Sequence, residues 1–308
     1  MPSRLTVVLV SLLLTLPVVI FWLWLVIVPA NVATLCPEGC RCDREGYNVI
    51  CDDTLLKDIN LIHLRVFREI FLFDYNIPLL QKDSFVILTE LEELDLERCG
   101  LRTIELGAFN GLTNLMRLSL CYNEICEIIP GTFQYIISLV YLNLQRNKIE
   151  HLDRNVFSGL FKLTFIDLNG NKLQFLHPDT FSGLPNLERL YLDNNPGLHI
   201  PTDSNFIKSL PLSSLTISGC NVSSVSVETF ANVSALKWLD LSNNNLRTVD
   251  INILTALPKL SSLYLYDNPL QCDCQLKEVW RWCKDRNIWT RDVICDTPRE
   301  VEGMWWGC

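Results

Sequence analysis

The chain has 308 residues, of which 49% are hydrophobic, so it can bury a large core. Its net charge of −9 argues against a nucleic-acid backbone or an anionic membrane surface as the main partner, because both require a basic patch. Its 13 cysteines cluster at the two ends of the chain, which indicates disulfides and an oxidising compartment.

Residues 1–33 are predicted to form a signal peptide. Arg4 is followed by a mostly apolar segment without charge from Leu5 to Val28, and small residues with candidate cleavage sites come next. An uncleaved anchor is the alternative, since this segment could span roughly 36 Å as a helix. Pro17 and the small residues favour cleavage. In either case the rest of the chain faces the lumen or the cell exterior, and we expect no C-terminal membrane span or lipid-anchor tail.

Residues 34–66 are predicted to form an N-terminal cysteine-rich cap. Cys36, Cys40 and Cys42 lie in the segment CPEGCRC, and Cys51 follows. Zinc binding is the competing interpretation of such a cluster, but the signal peptide removes the reducing compartment that free thiolates need. Four cysteines allow three pairings, and the spacing alone does not choose between them.

Residues 67–269 contain a pattern, LxxLxLxxN, repeated nine times. Each step is 24 residues long except for one of 25, and the pattern begins at Phe67, Leu91, Leu115, Leu139, Leu163, Leu187, Leu212, Leu236 and Leu260. Each LxLxx piece predicts a short strand whose leucines point inward, and only a stack of such repeats buries that face. The sequence therefore predicts a curved solenoid with a parallel sheet on its concave side.

The second half of each repeat supplies further core positions. A phenylalanine recurs there, and we interpret this ladder as core packing. Asn at the ninth position is expected to bond the backbone of the turn. Cys99 and Cys220 replace this Asn and are interpreted as compact buried residues. The pairing of Cys121 and Cys126 stays open.

Residues 270–308 are predicted to form the second cap, with the segment NPLQCDCQLKEVWRWC at its start. Together with CPEGCRC and the repeats, this segment resembles the extracellular leucine-rich repeat proteins, such as Slit, the Toll-type receptors, the Nogo receptor, the acid-labile subunit and the variable lymphocyte receptors. The resemblance covers residues 36 to about 300. It implies an α/β leucine-rich repeat horseshoe with short helical turns on the convex face and disulfide caps at both ends.

The same resemblance implies four disulfides: Cys36–Cys42, Cys40–Cys51, Cys272–Cys295 and Cys274–Cys308. The last of these departs from the family pattern, because only 12 residues separate Cys295 from Cys308. Either the cap is short, or the chain is a truncated or alternatively spliced form of a longer one. Cys283 stands where the family has an apolar helix residue, so it is either a buried thiol or a competing partner of Cys308.

The sequence predicts no catalysis. The four histidines are scattered over different repeats, and no motif of a hydrolase, a metalloprotease or a phosphate-binding loop occurs. We therefore expect no catalytic residue, cofactor or metal. Two glycosylation sequons begin at Asn221 and Asn232, outside the strand positions.

Function is therefore expected on the concave face, where the repeat points side chains outward. Aromatic residues at such positions favour the cores of interfaces. The predicted ligand-binding residues are Phe71, Glu93, Asp95, Arg117, Tyr141, Phe165, Arg189, Tyr191, Trp238 and Tyr264. The anchor is expected to be the solvent-facing aromatic strip formed by Tyr141, Phe165, Tyr191 and Trp238.

The expected partner is an extracellular protein, not a nucleic acid, and a membrane only if the N-terminal segment is uncleaved or the chain is part of a receptor. Five acids occupy outward positions of the first two repeats, which suggests a partner with a basic patch: Glu69, Glu92, Glu93, Asp95 and Glu97. We expect a secreted or cell-surface recognition protein. The alternative is a structural matrix or adhesion scaffold whose caps and convex face make the contacts.

Overall fold

The computed structural model of the chain describes residues 36, 40–42, 48–52, 64–290 and 293–297. The predicted signal peptide and Cys308 lie outside the described residues. Within these ranges, no helix is long and apolar enough to cross a membrane. The domain boundaries stay predictions.

The described chain forms short strands at a regular spacing. They are β1 (Cys40–Cys42), β2 (Asn48–Asp52), β3 (Glu69–Phe73), β4 (Leu79–Leu80), β5 (Glu93–Asp95), β6 (Thr103–Ile104), β7 (Arg117–Ser119), β8 (Tyr141–Asn143), β9 (His151–Leu152), β10 (Phe165–Asp167), β11 (Phe175–Leu176), β12 (Arg189–Tyr191), β13 (Ser214–Thr216), β14 (Trp238–Asp240), β15 (Ser262–Tyr264) and β16 (Trp289–Thr290). The helices are α1 (Val227–Phe230), α2 (Ile251–Thr255) and α3 (Cys274–Asp285).

Twelve of these strands form one sheet in the order β1–β2–β3–β5–β7–β8–β10–β12–β13–β14–β15–β16. Strand β1 is antiparallel to β2, and the other neighbours are parallel. Strands β4 and β6 pair on the second half of the repeats, as do β9 and β11. The predicted leucine-rich repeat solenoid is confirmed, with the long sheet on its concave side.

Alternation along each strand decides which side chains are buried. In β3, Ile70 and Leu72 are buried, whereas Glu69, Phe71 and Phe73 are only half-buried. This is the period of two that a strand with one solvated face requires. Strands β5, β7, β8, β12 and β14 follow the same pattern, as the register assigned from the sequence requires, whereas concave-side residues of β10, β13 and β15 are also buried.

The predicted phenylalanine ladder is confirmed as a buried spine. Phe85, Phe109, Phe133, Phe157 and Phe181 stack in that order, with ring centroids 5.7–6.4 Å apart. Each ring is at most 2% exposed. Since each ring touches the ring of the next repeat, no single repeat can bury its own spine residue.

The ninth-position asparagines connect each repeat to the one before it. The Nδ2 group of Asn147 donates to the carbonyl of Leu120 in the preceding repeat at 2.9 Å and to Leu144 in its own turn at 3.0 Å. Its Oδ1 accepts from the backbone N–H of Ile125 at 3.1 Å. The same set of bonds recurs at Asn123, Asn171, Asn195, Asn244 and Asn268.

Cys99 and Cys220, which replace two of these asparagines, keep part of their hydrogen-bond pattern. Both are buried, as predicted, and their thiols lie 3.3 and 3.2 Å from the carbonyls of Leu72 and Leu192, in the preceding repeats. Burial raises the pKa of each thiol to about 12, so neither is a reactive nucleophile. A thiol donates one bond and therefore replaces only the donor part of the amide.

Among the described residues, three disulfides link cysteines at the two ends of the solenoid. The bridges are Cys36–Cys42, Cys40–Cys51 and Cys272–Cys295, the pairings that the resemblance implies. Cys274 is a free, exposed thiol, and its expected partner Cys308 lies outside the described residues. The fourth bridge therefore stays a prediction.

The C-terminal helix covers the open end of the core. Asp273 caps α3 by accepting from the N–H groups of Gln275 and Leu276. Leu276, Val279 and Cys283 form its buried face. Cys283 is thus a buried thiol, and burial raises its pKa to about 12.

Replacing Asn147 with Ala should lower the free energy of unfolding by about 2–4 kcal/mol. The change leaves the buried Ile125 N–H without a partner and removes one donor each from the carbonyls of Leu120 and Leu144, which still accept from neighbouring asparagines. A lost buried partner costs about 1–3 kcal/mol. Asn147→Cys should be less damaging, because the thiol can donate as Cys220 does. The measurement is urea unfolding followed by circular dichroism.

The matched control is Asn186→Ala. Asn186 also donates to a carbonyl of the preceding repeat, that of Phe161, but at the exposed surface. Its loss should change stability by less than about 1 kcal/mol. An equal loss of unfolding free energy in Asn147→Ala and Asn186→Ala would contradict a special role for the buried asparagines.

Candidate ligand-binding face

The concave face presents the third and fifth positions of the repeat on the open side of the long sheet. The register pairs each position with the same position of the next repeat, as in Tyr141, Phe165 and Arg189. Strands of a sheet lie about 4.8 Å apart, so equivalent side chains form rows along the solenoid. All ten residues predicted to bind ligand lie in these two rows.

The central part of the third-position row is a continuous stack of charged and aromatic groups. The Nε atom of Arg117 lies 3.2 Å from Oε1 of Glu93, and its Cζ lies 4.3 Å from the ring centroid of Tyr141. Tyr141 stacks on Phe165 with centroids 4.6 Å apart, and Cζ of Arg189 lies 5.1 Å from the Phe165 ring. Cation–π pairs and stacked rings both favour this arrangement.

The expectation of solvent-facing aromatic residues was wrong for Phe165, a member of the strip, and for Tyr264, which belongs to the wider predicted set. Phe165 and Tyr264 are each only 6% exposed, although both stand on the concave side of the sheet. Phe165 is covered by the Tyr141 ring and by the edge of Tyr191, whose centroid is 5.0 Å away. Since neighbouring side chains and not the interior cover it, truncating Phe165 would disturb the face itself as well as any contact with a ligand.

The acidic N-terminal end is less negative than the sequence suggests. Glu92, Glu93 and Glu97 each lie within 2.6–3.2 Å of an arginine, respectively Arg68, Arg117 and Arg98. Burial, together with repulsion from Glu97 and Glu93, raises the pKa of Asp95 to about 6. The local charge available to a partner is therefore smaller than a count of carboxylates implies.

A trough of small side chains crosses the face at β13. Ser214 and Thr216 stand there between Arg189 and Tyr191 of β12 on one side and Trp238 of β14 on the other. Ser214 is half-buried and Thr216 is buried, although both stand on the concave side of the sheet. This strand divides the aromatic residues of the face into two clusters.

Partly buried carboxylates lie beside the trough. Asp193 accepts from the Thr216 hydroxyl at 2.8 Å and from the N–H of Ser218 at 2.7 Å. Burial raises its pKa to about 6, with further repulsion from Asp240 and Asp167. Burial also raises the pKa of Asp167. These carboxylates have no arginine or lysine within ion-pair distance among the described residues.

The second aromatic cluster contains a residue that the sequence analysis missed. Trp238 lies against Tyr264 with centroids 4.7 Å apart, and Trp289 packs edge-on against Tyr264 at 4.8 Å. Trp238 and Trp289 are 40% and 52% exposed. Trp289 falls outside the repeat pattern, but the chain after α3 returns to the sheet as β16 and pairs with β15. The sequence feature that could have revealed Trp289 is the Trp-Thr pair that follows the helix α3.

An arginine–aromatic sandwich at the eighth position lies outside the predicted ligand-binding set. Tyr122, which is 38% exposed, lies between Arg98 and Arg146, whose Cζ atoms are 4.8 and 5.3 Å from its ring centroid. It extends the central stack toward the edge of the concave face.

This architecture defines a solenoid of leucine-rich turns closed by disulfide caps. The family described as "Leucine rich repeat" matches residues 89–149, 137–196 and 211–270, which together cover more than half of the chain. The chain belongs to the leucine-rich repeat family.

Curated relatives match shorter segments. Nephrocan of Mus musculus is 27% identical over 140 residues, covering 39% of this chain and 27% of that protein. Reticulon-4 receptor-like 2 of Homo sapiens is 40% identical over 50 residues, covering 16% of this chain and 12% of that protein. The matched part of the chain thus spans about a quarter of the first relative and about an eighth of the second.

Solved structures match over most of the chain. Human 5T4, also named Wnt-activated inhibitory factor 1 or trophoblast glycoprotein, has a TM-score of 0.65 at 24% identity, covering 87% of this chain and 94% of that one. A chain of the complex of latrophilin 3, Unc5D and the leucine-rich repeats of FLRT2 has a TM-score of 0.65 at 23% identity, covering 88% of this chain and 97% of that one. At these identities the likeness shows the fold alone.

Asp193→Asn should raise stability more at pH 7.5 than at pH 5. Because burial raises the pKa of Asp193 to about 6, the folded protein holds this proton more tightly than the unfolded chain does between about pH 4 and 6. Stability from this group is therefore present at low pH and is lost as the pH rises through about 6. Thermal melting of wild type and variant at both pH values measures the difference.

The control is Asp203→Asn, an exposed carboxylate outside the trough. Its melting difference from wild type should not change between the two pH values. A melting difference for Asp193→Asn that is equally pH-independent would show that Asp193 is not destabilised by its burial.

Proposed function

We propose that this protein is a secreted or cell-surface recognition protein that binds another extracellular protein on its concave face and is not an enzyme. The observation that carries the proposal is the pair of aromatic clusters on either side of the β13 trough. Tyr141 and Tyr191 belong to one cluster, and Trp238 and Trp289 to the other. Aromatic and arginine side chains around a recess have the composition of an interface core.

The C-terminal half of the face is the better candidate for the anchor. Trp238 and Trp289 keep large exposed areas, whereas Phe165 is already covered by its neighbours. A tryptophan that is half-exposed in the free protein can still bury apolar area against a partner. Burial of about 25 cal/mol per Å² of such area drives association.

The charge of the trough indicates a cationic group on the partner. Asp167, Asp193 and Asp240 lie close enough for their charges to raise the pKa of Asp193. A lysine or arginine of a partner that enters the trough would relieve this repulsion. This site replaces the acidic N-terminal end as the proposed contact for a basic patch, because most acids at that end are already paired.

The comparisons support a protein partner. Reticulon-4 receptor-like 2 is named as receptor-like, and one structure of the same fold holds latrophilin 3 and Unc5D together with the repeats of FLRT2. Another, TLR13 with ssRNA13, binds a nucleic acid. Here the net charge of −9 and the acidic trough favour a protein over a polyanion.

The scaffold alternative is supported by one observation. Ile137, Phe161 and Leu210 are 54–73% exposed on the loops that precede the strands, outside the concave rows. An exposed apolar row can make contacts of its own. The two functions therefore place the partner on different surfaces of the same repeats.

Variants on the two surfaces distinguish these functions. The secreted chain is first screened against an array of extracellular domains, and a binding partner is then titrated against Trp238→Ala and Arg189→Ala. Each truncation should weaken binding by roughly 30- to 800-fold if the residue is an anchor, which corresponds to about 2–4 kcal/mol. Melting of both variants should stay near the wild-type value, because both side chains are exposed.

The matched control is Phe161→Ser, at the most exposed phenylalanine of the loop row. It should leave the affinity unchanged. Unchanged binding by the concave variants together with loss of binding by Phe161→Ser would support the scaffold function instead.

A further inference from the structure

In the repeat that has 25 residues, one core position holds a polar residue where the neighbouring repeats have an apolar one. Ser209 lies three residues before the leucine that opens the next strand pattern, where the neighbouring repeats have Leu184 and Val233. It is 3% exposed, and its hydroxyl has no hydrogen-bond partner. A serine is too short to fill the place of a leucine, so space remains beside it, with an unsatisfied polar atom.

This space opens to the surface as a pocket of about 510 Å³. Its lining is largely apolar, with Leu184, Pro185, Leu210 and Pro211 around Ser209. Leu210 is 73% exposed, which is unusual for a leucine beside a recess. The volume lies within the range of about 300–1,000 Å³ that is typical of sites for small molecules.

Asn232 belongs to the same lining. Its backbone carbonyl accepts from the backbone N–H of Ser209 at 3.3 Å, which holds the two loops side by side. Asn232 is followed by Val233 and Ser234, so it is a sequon for N-linked glycosylation. The first sugar on Asn232 would therefore start at the rim of the pocket.

We propose that an N-linked glycan on Asn232 folds back on this pocket and that its first N-acetylglucosamine covers Leu210 and Pro211. The apolar C–H face of a pyranose ring suits such a surface, and the hydroxyl and acetamide groups of the sugar can bond Ser209. In the attachment, Nδ2 of Asn232 bonds to the anomeric carbon of a lipid-pyrophosphate-linked oligosaccharide. The lipid pyrophosphate leaves, and the amide loses one proton.

The other sequon lacks these features. Asn221 is exposed, and its Nδ2 donates to the carbonyl of Pro196 at 3.0 Å. It does not line the pocket of Ser209. A glycan there would extend into solvent, so the two sequons provide an internal comparison within one chain.

The test uses the full chain secreted from cells that make only high-mannose glycans. Endoglycosidase H leaves one N-acetylglucosamine on each site, whereas peptide N-glycosidase F removes it. Peptide mass spectrometry reads the occupancy of Asn232. Binding of the dye ANS and thermal melting are then compared for the intact protein and both products.

The single N-acetylglucosamine that endoglycosidase H leaves should be sufficient to cover the pocket. The endoglycosidase H product should bind ANS and melt as the intact protein does. The peptide N-glycosidase F product and the Asn232→Gln variant should bind several-fold more ANS and melt about 2–4 °C lower. If Asn232→Gln is not secreted, the enzyme-treated protein, which folded with its glycan, still gives the result.

Three variants show whether the pocket is responsible. Leu210→Ser should abolish the increase in ANS binding on sugar removal, because the apolar surface is then absent. Phe161→Ser removes an equally exposed side chain that does not line the pocket, and should leave that increase intact. Asn221→Gln should have no effect on ANS binding.

Three results would overturn the proposal: an unoccupied Asn232, unchanged ANS binding and melting after complete sugar removal, or an equal effect from Asn221→Gln. None of these measurements involves a ligand of the concave face, so the outcome is independent of the proposed recognition function.

Discussion

The buried amide of the ninth repeat position is the interaction on which the rest of the structure depends. A solenoid turn leaves backbone N–H and C=O groups facing the interior, where no water can satisfy them. Asn147 and its equivalents satisfy groups of two successive repeats with one side chain. The sheet register, the phenylalanine spine and the rows of the concave face all follow from this fixed spacing. Each repeat is therefore stable only in the company of its neighbours.

The fold could be predicted almost entirely from the sequence because the same repeat pattern recurs nine times, in six cases with the buried asparagine. Leu142 or Ile166 must point inward wherever the strand alternates, and the 24-residue step places the next strand beside it. The substitutions at Cys99 and Cys220 were also interpretable, since a thiol is small and can donate to a carbonyl. The N-terminal disulfides could not be chosen from spacing and depended on the resemblance to known proteins.

The position of the concave-face residues could be predicted from the sequence, but the exposure of their side chains could not. The repeat places Phe165 on the concave side, yet exposure depends on how the side chains of Tyr141 and Tyr191 lean across the sheet. Pairing between Glu93 and Arg117 likewise depends on rotamers and not on spacing. Trp289 was missed because periodicity ends where the cap begins. Ser209 could have been noticed by aligning the repeats, since it interrupts a column of apolar residues.

The return of β16 to the sheet gives the C-terminal cap a second role. The helix α3 closes the core, and the strand after it adds Trp289 to the concave row beside Ser262. The helix that closes the core and the last strand of the concave face thus belong to one continuous segment of the chain. Caps in designed repeat proteins are commonly exchanged for stability alone. In this protein a grafted cap would also change the side chains at the C-terminal end of the concave face, even with every repeat left intact.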